Sequence, residues 1–158
     1  MRKIAFIGVG NMANAIIGGL LRSGAVDCPH LILSDKFPEK CVPYTEGGAT
    51  LAASPAEAAA AADCVVLAVK PQNFPEVLDE LSRVEGIENK LIVTIAAGIT
   101  VETVKTALRG TATVRVLPNT PMLIGMGVSV ICRAPDVDPA DFSFVTALSC
   151  GLTYWLLA

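Results

Sequence analysis

The sequence predicts a single α/β domain, a doubly wound fold on a mostly parallel sheet, and three observations carry that prediction. Short apolar runs without polar alternation recur at residues 4–7, 64–69 and 91–95, as expected of strands buried on both faces. Segments of helical period separate them, and the connections are short. At 158 residues the chain has the size of one ordinary domain and is long enough to bury a core.

The first strand and helix form the most informative unit. The run Ile4-Ala5-Phe6-Ile7 breaks at Gly8-Val9-Gly10-Asn11-Met12-Ala13. Ala13, Ile16, Ile17, Leu20 and Leu21 then fall on one helical stripe. Arg22 in the last turn suits the negative end of the helix dipole, and Gly24 can close the helix in the left-handed conformation. In a G-x-G-x-x-G/A turn the first glycine makes the tight turn and the second lets a pyrophosphate approach the backbone. The third small residue lets helix and strand pack closely. Gly8, Gly10 and Ala13 occupy those positions, so a Rossmann-type dinucleotide site is expected, with the unpaired N–H groups of the first helical turn facing the phosphates.

Residues 31–33 read as a second strand ending at Ser34-Asp35-Lys36. An acidic side chain there accepts hydrogen bonds from the adenosine ribose, whereas a cation accommodates a 2′-phosphate. Asp35 and Lys36 supply one signal of each kind, and Ser34 can bond a phosphate, so both NADP and NAD stay open. Residues 37–47 read as a short helix ended by Gly47-Gly48, and residues 49–51 as a short edge strand. Ser54-Pro55-Ala56-Glu57 is a capping box with Pro at the first helical position, opening a small alanine helix. The run 64–69 is the next buried strand. It ends abruptly at Lys70-Pro71-Gln72-Asn73, on the edge where open α/β sheets bind ligands, which makes Lys70 a site candidate. Asn73 is expected to cap a helix whose apolar face is Phe74, Val77, Leu78, Leu81 and Val84, with Gly86 as its stop.

The strand at 91–95 leads into Ala96-Ala97-Gly98, where small residues permit close approach of a ligand. Thr100 is expected to cap a helix through Leu108, closed by Arg109-Gly110. Residues 113–117 form the next strand, running into the stiff loop Pro118-Asn119-Thr120-Pro121. Residues 127–132 alternate like a further strand, residues 136–148 hold a helix, and residues 152–157 read as a last strand. Trp155, Leu156 and Leu157 are expected to contribute apolar surface.

The net charge is −3 with no Lys/Arg cluster, which argues against a nucleic-acid partner. No apolar run approaches the roughly 18 residues of a membrane span. The apolar run at the start is too short for a signal peptide and no cleavage pattern follows it, so a cytoplasmic location is expected. The five cysteines, Cys28, Cys41, Cys64, Cys132 and Cys150, are odd in number and widely spaced. They read as reduced thiols rather than disulfides or a zinc site. His30, the single histidine, has no ligand-spaced partner and reads as structural.

Three stretches taken together, residues 8–15, Ala68-Val69-Lys70-Pro71-Gln72 and Val114-Arg115-Val116-Leu117-Pro118-Asn119-Thr120-Pro121, closely resemble the amino-terminal domain of the pyrroline-5-carboxylate reductase family. The resemblance covers nearly the whole chain. It implies NAD(P)H-dependent reduction of the cyclic imine 1-pyrroline-5-carboxylate to L-proline, with NADP favoured and NAD possible. It also implies that Gly8, Gly10, Asn11 and Met12 contact the pyrophosphate and nicotinamide side of the cofactor, and that Ser34, Asp35 and Lys36 read the adenosine ribose or its phosphate. Ala68, Val69, Lys70 and Pro71 would border the cofactor's middle, with Ala96, Ala97, Gly98 and Asn119 towards the nicotinamide. No catalytic side chain and no metal is expected, because a protonated imine is already electrophilic and needs chiefly positioning and exclusion of water.

Members of that family continue into a helical segment that forms the dimer and carries a Ser-Gly-Ser-Gly-Pro-Ala-like loop for the substrate carboxylate. No such loop occurs in this chain. The expectation is therefore a single dinucleotide-binding domain over residues 1–158, the helical substrate and dimerisation domain absent, that binds cofactor with little reductase activity alone. A stand-alone dinucleotide-binding module or sensor is the alternative. Another imine or β-hydroxyacid reductase of related architecture is disfavoured by the loop at 118–121.

Overall fold

The computed structural model describes residues 1–118, 129–133, 135–150 and 155–157. Strands β1 (Ile4–Ile7), β2 (Leu31–Ser34), β3 (Thr50–Leu51), β4 (Cys64–Leu67), β5 (Leu91–Thr94), β6 (Ala112–Pro118), β7 (Ser129–Arg133) and β8 (Trp155–Leu157) form one sheet in the order β3-β2-β1-β4-β5-β6-β7-β8. Pairing is parallel except between β6 and β7, where Val116 opposes Ile131 in an antiparallel ladder. The chain leaves β1 towards β2 and β3 on one side and returns to β4 on the other. The carboxyl end of β1 is therefore the topological switch point, where open α/β sheets bind their ligands.

Alternation along the strands divides the core in two. Ile4, Phe6, Leu33, Val66, Val93 and Val114 face the layer of α1 (Asn11–Ser23) and α6 (Pro139–Cys150). Ala5, Ile7, Ile32, Val65, Leu67 and Ile92 face α3 (Pro55–Ala60), α4 (Phe74–Ser82) and α5 (Val101–Ala107). Burial on both faces is why the strands read as continuous apolar runs.

Several element ends follow their sequence signals and others depart from them; α4, expected to run to a stop at Gly86, ends at Ser82 with Arg83 as its C-cap. Gly24 closes α1 at φ 69°, Ser54 accepts from the Glu57 N–H, and Thr100 accepts from the Thr103 N–H. The segment expected as one short helix over 37–47 is instead a 3₁₀ turn (Pro38–Cys41) followed by the single-turn α2 (Val42–Thr45), because Pro38 and Pro43 interrupt hydrogen bonding. Asn73 does not cap α4 through its side chain; a 3₁₀ turn over Pro71–Asn73 leads the chain in. The strand expected at 64–69 ends at Leu67, and Ala68 N–H crosses back to the Ile7 carbonyl at 2.8 Å.

Candidate functional site

The carboxyl ends of β1, β2 and β4 are laced together by backbone hydrogen bonds. Gly8 N–H donates to the Ser34 carbonyl at 2.8 Å, beside the Ala68 to Ile7 bond. Gly8 sits at φ 93°, and a Cβ on it would lie 2.8 Å from the Ala68 carbonyl carbon and oxygen and 2.9 Å from Val69 N. Only glycine brings β1 this close to the turn after β4. Gly10, the N-cap of α1, is different. A Cβ there would meet nothing within 4 Å, no side chain caps the helix, and no acidic residue lies in its first turn. The amino end of α1 thus offers N–H groups without partners among the described residues, beside open space.

That space is a cavity of about 570 Å³. Of the residues singled out in the sequence, Gly8, Gly10, Ser34, Asp35, Lys36, Ala68, Val69 and Lys70 line it. Asn11 and Met12 form the first turn of α1 beside it, and Pro71 begins the 3₁₀ turn behind Lys70. Ala96, Ala97 and Gly98 follow β5 on the same sheet edge but are not part of the cavity wall. Asn119 lies outside the described residues, as does most of the 118–121 loop.

Asp35 is the best-anchored side chain of the site. Its Oδ2 accepts from Val9 N–H at 2.7 Å and its Oδ1 from Phe37 N–H at 2.9 Å, while Lys40 Nζ lies 3.4 Å from Oδ1. With 9% of its side chain exposed, Asp35 fixes the conformation of the glycine turn from across the sheet edge. Lys36 pairs with Glu76 at 3.1 Å, and both side chains are exposed. Lys70 is exposed and has no ion-pair partner among the described residues. An uncapped helix end and an unpaired ammonium on one cavity wall make an environment for an anion.

Several lining residues were not named as site residues from the sequence: Phe37, Lys40, Gln72, Glu76 and Glu80. Lys40 stands over the Phe37 ring at 4.6 Å. Glu76 and Glu80 recur at i, i+4 on α4, the spacing that sets two side chains on one helix face.

The thiols have no part in this wall. Burial pushes the Cys64 thiol up to about 12 and raises that of Cys41, which keeps both protonated and unreactive. Cys28, Cys41, Cys64 and Cys132 are all free. His30 pairs with Asp27 at the turn before β2, on the opposite edge of the sheet. Among the described residues no group of three or more His, Cys, Asp or Glu side chains could hold a metal ion. Arg115, opposite Thr94 on β5, carries a buried Nε without a hydrogen-bond partner among the described residues.

Comparison with known proteins agrees with this geometry. Residues 3–98 match the family model described as NADP oxidoreductase, coenzyme F420-dependent. The pyrroline-5-carboxylate reductase of Haemophilus influenzae is 36% identical over 158 residues, covering 98% of this chain and 58% of that protein. That of Mycobacterium leprae is 32% identical over 153 residues, covering 94% and 52%. The solved pyrroline-5-carboxylate reductase of Coxiella burnetii superposes with a TM-score of 0.92 at 26% identity, over 99% of this chain and 58% of that one. The Plasmodium falciparum pyrroline carboxylate reductase, solved with NADP bound, shares the fold at a TM-score of 0.86 and 23% identity, over 99% and 57%. The chain spans about half the length of the curated relatives it matches. With the glycine turn at the switch point of a doubly wound sheet and more than half of its residues in the match, the chain belongs to the NADP oxidoreductase, coenzyme F420-dependent, family, and within it resembles the amino-terminal part of pyrroline-5-carboxylate reductases.

Proposed function

We propose that this chain is the NADP(H)-binding half of a reductase that converts 1-pyrroline-5-carboxylate to L-proline, acting in the cytoplasm. The observation that carries the proposal is the cavity at the switch point, which joins the Gly8–Gly10 turn, the end of β2 and the end of β4 in one wall. The residues fit a dinucleotide. Open space over Gly10 leaves room for a pyrophosphate, the first turn of α1 at Asn11 and Met12 offers it N–H donors, and Lys70 offers it a counter-charge. Ser34 and Lys36 lie where the adenosine ribose or its phosphate would be read, and Asp35 holds the turn that both halves of the cofactor share. Ala68, Val69 and Pro71 border its middle, and Ala96, Ala97 and Gly98 extend the edge towards the nicotinamide, where the family resemblance also implies a contact from Asn119.

When bound, the reduced nicotinamide would supply a hydride to the carbon of the protonated imine, giving the amine. This chain's contribution is to fix the donor, exclude water from one side of it and neutralise its phosphates. The P. falciparum reductase has NADP bound, and this and the NADP oxidoreductase family to which the chain belongs support the choice of NADP. No helix among the described residues is long and apolar enough to cross a membrane, which accords with the location proposed.

Titration of the 158-residue chain with NADPH, followed by coenzyme fluorescence, tests the reading alongside a steady-state assay with 1-pyrroline-5-carboxylate. Saturable binding with little turnover is expected. Failure to bind either NADPH or NADH would overturn the proposal, and turnover at the rate of a complete reductase would overturn the division of labour.

A further inference from the structure

The outward face of α4 shares the cavity, and the fit of a dinucleotide does not account for it. Glu76 and Glu80, one turn apart, both line the cavity together with Lys36 and Lys40 from the β2 side. Glu80 is committed to the fold, because its Oε1 accepts from Ala56 N–H at 3.0 Å, in the first turn of α3. Glu76 makes its bond to Lys36 alone among those described, between side chains 70% and 62% exposed. Exposed pairs of this kind are weak and readily exchanged. Its carboxylate is therefore a charge displayed to the cavity, and it neutralises the cation nearest the end of β2.

We propose that Glu76 is a specificity-determining residue that holds down the affinity of this site for dinucleotides bearing a phosphate on the adenosine ribose. The proposal rests on the dinucleotide reading of the cavity. A ribose phosphate carries close to two negative charges at neutral pH. To reach Lys36 it must displace Glu76 and then remain near it, so part of the attraction to Lys36 and Lys40 is cancelled. A ribose hydroxyl is uncharged and escapes that repulsion. The consequence falls on the difference between the two coenzymes, which is where specificity resides. NADP(H) and NAD(H) are thus bound with closer affinities than the two lysines alone would produce.

Glu76→Gln removes the charge and keeps the shape. NADPH and NADH are titrated into the wild-type chain, the E76Q variant and the E102Q variant, which makes the same charge change on α5 away from the cavity wall. In E76Q the ratio of NADPH to NADH affinity is expected to rise about three- to tenfold at low ionic strength, and the gain is expected to shrink in ~0.5 M salt. E102Q should leave the ratio as in the wild type. An unchanged or lowered ratio in E76Q would overturn the proposal, as would an equal rise in E102Q or a rise insensitive to salt. If the wild type binds neither coenzyme, the dinucleotide reading itself fails; if it binds both and the ratio stays put, only the role of Glu76 fails.

Discussion

At the residue scale, the two glycines of the first turn do different work, and substitution separates them. At Gly8 the φ of 93° and the backbone of Ala68 and Val69 at 2.8–2.9 Å oppose any Cβ. The left-handed conformation costs an L-residue about 1–2 kcal/mol, and overpacking against immovable backbone adds about 1–3 kcal/mol. Gly8→Ala is therefore expected to lower stability by roughly 3 kcal/mol, read as a fall in the urea midpoint. At Gly10 the φ of −87° suits any residue and nothing stands within 4 Å. Gly10→Ala should keep stability within about 1 kcal/mol of the wild type, yet weaken NADPH binding because the methyl group occupies the cavity. A Gly10→Ala chain that binds as well as the wild type would show that the phosphates lie elsewhere. Spacing alone marks both glycines. It does not reveal that the Asp35 carboxylate is turned onto the Val9 N–H, because that bond spans 26 positions and depends on how closely two strand ends approach.

At the element scale, the buried strands and the apolar faces of α1 and α4 were legible, since burial on both faces and helical period each leave a pattern in composition. What was illegible follows from competition that a local pattern does not record. Two prolines reduced the expected helix after Phe37 to a 3₁₀ turn and one turn of α2, and the Pro71 turn took over the role expected of Asn73. The antiparallel sense of β7 against β6 was not legible either, because alternation marks a strand without giving its direction. Of the candidate site, the glycine turn and the ends of β2 and β4 were legible, whereas Glu76 and Glu80 arrive from a helix whose outer face reads as ordinary solvated surface. The cap of α3 was legible and is the easiest to test. Ser54 Oγ accepts from Glu57 N–H at 3.1 Å, and Glu57 Oε2 reaches back to Ala53 N–H at 2.9 Å. Ser54→Ala is expected to destabilise the chain by about 1 kcal/mol, measured by urea denaturation; no change would mean that Pro55 and Glu57 suffice to start the helix.

At the scale of the whole molecule, the sheet separates two helix layers, and a polar tie joins one layer to the other around its edge. Lys105 of α5 belongs to one layer, and Asp136 precedes Val137, which is buried in the other. Their side chains meet at 2.5 Å. The hydrogen bond from Lys105, reinforced by a backbone hydrogen bond at Asp136 and the charge of Lys105, holds the Asp136 carboxyl below the usual carboxylate range. An aspartate whose value is lower in the folded chain than in the unfolded one favours folding while it is ionised. The contribution is complete above the ordinary aspartate value near ~3.9, and it is lost as pH falls through the depressed folded value, where both states hold the proton. Asp136→Asn imitates the protonated form at every pH. The wild type should therefore melt at a slightly higher temperature than D136N at pH 7, with the two melting temperatures converging as pH is lowered below ~4. Because the carboxylate is exposed the gap should be small, and it should narrow in high salt as well. A gap that persists unchanged to pH 2.5 would assign the effect to packing of the side chain rather than to the ionic tie between the layers.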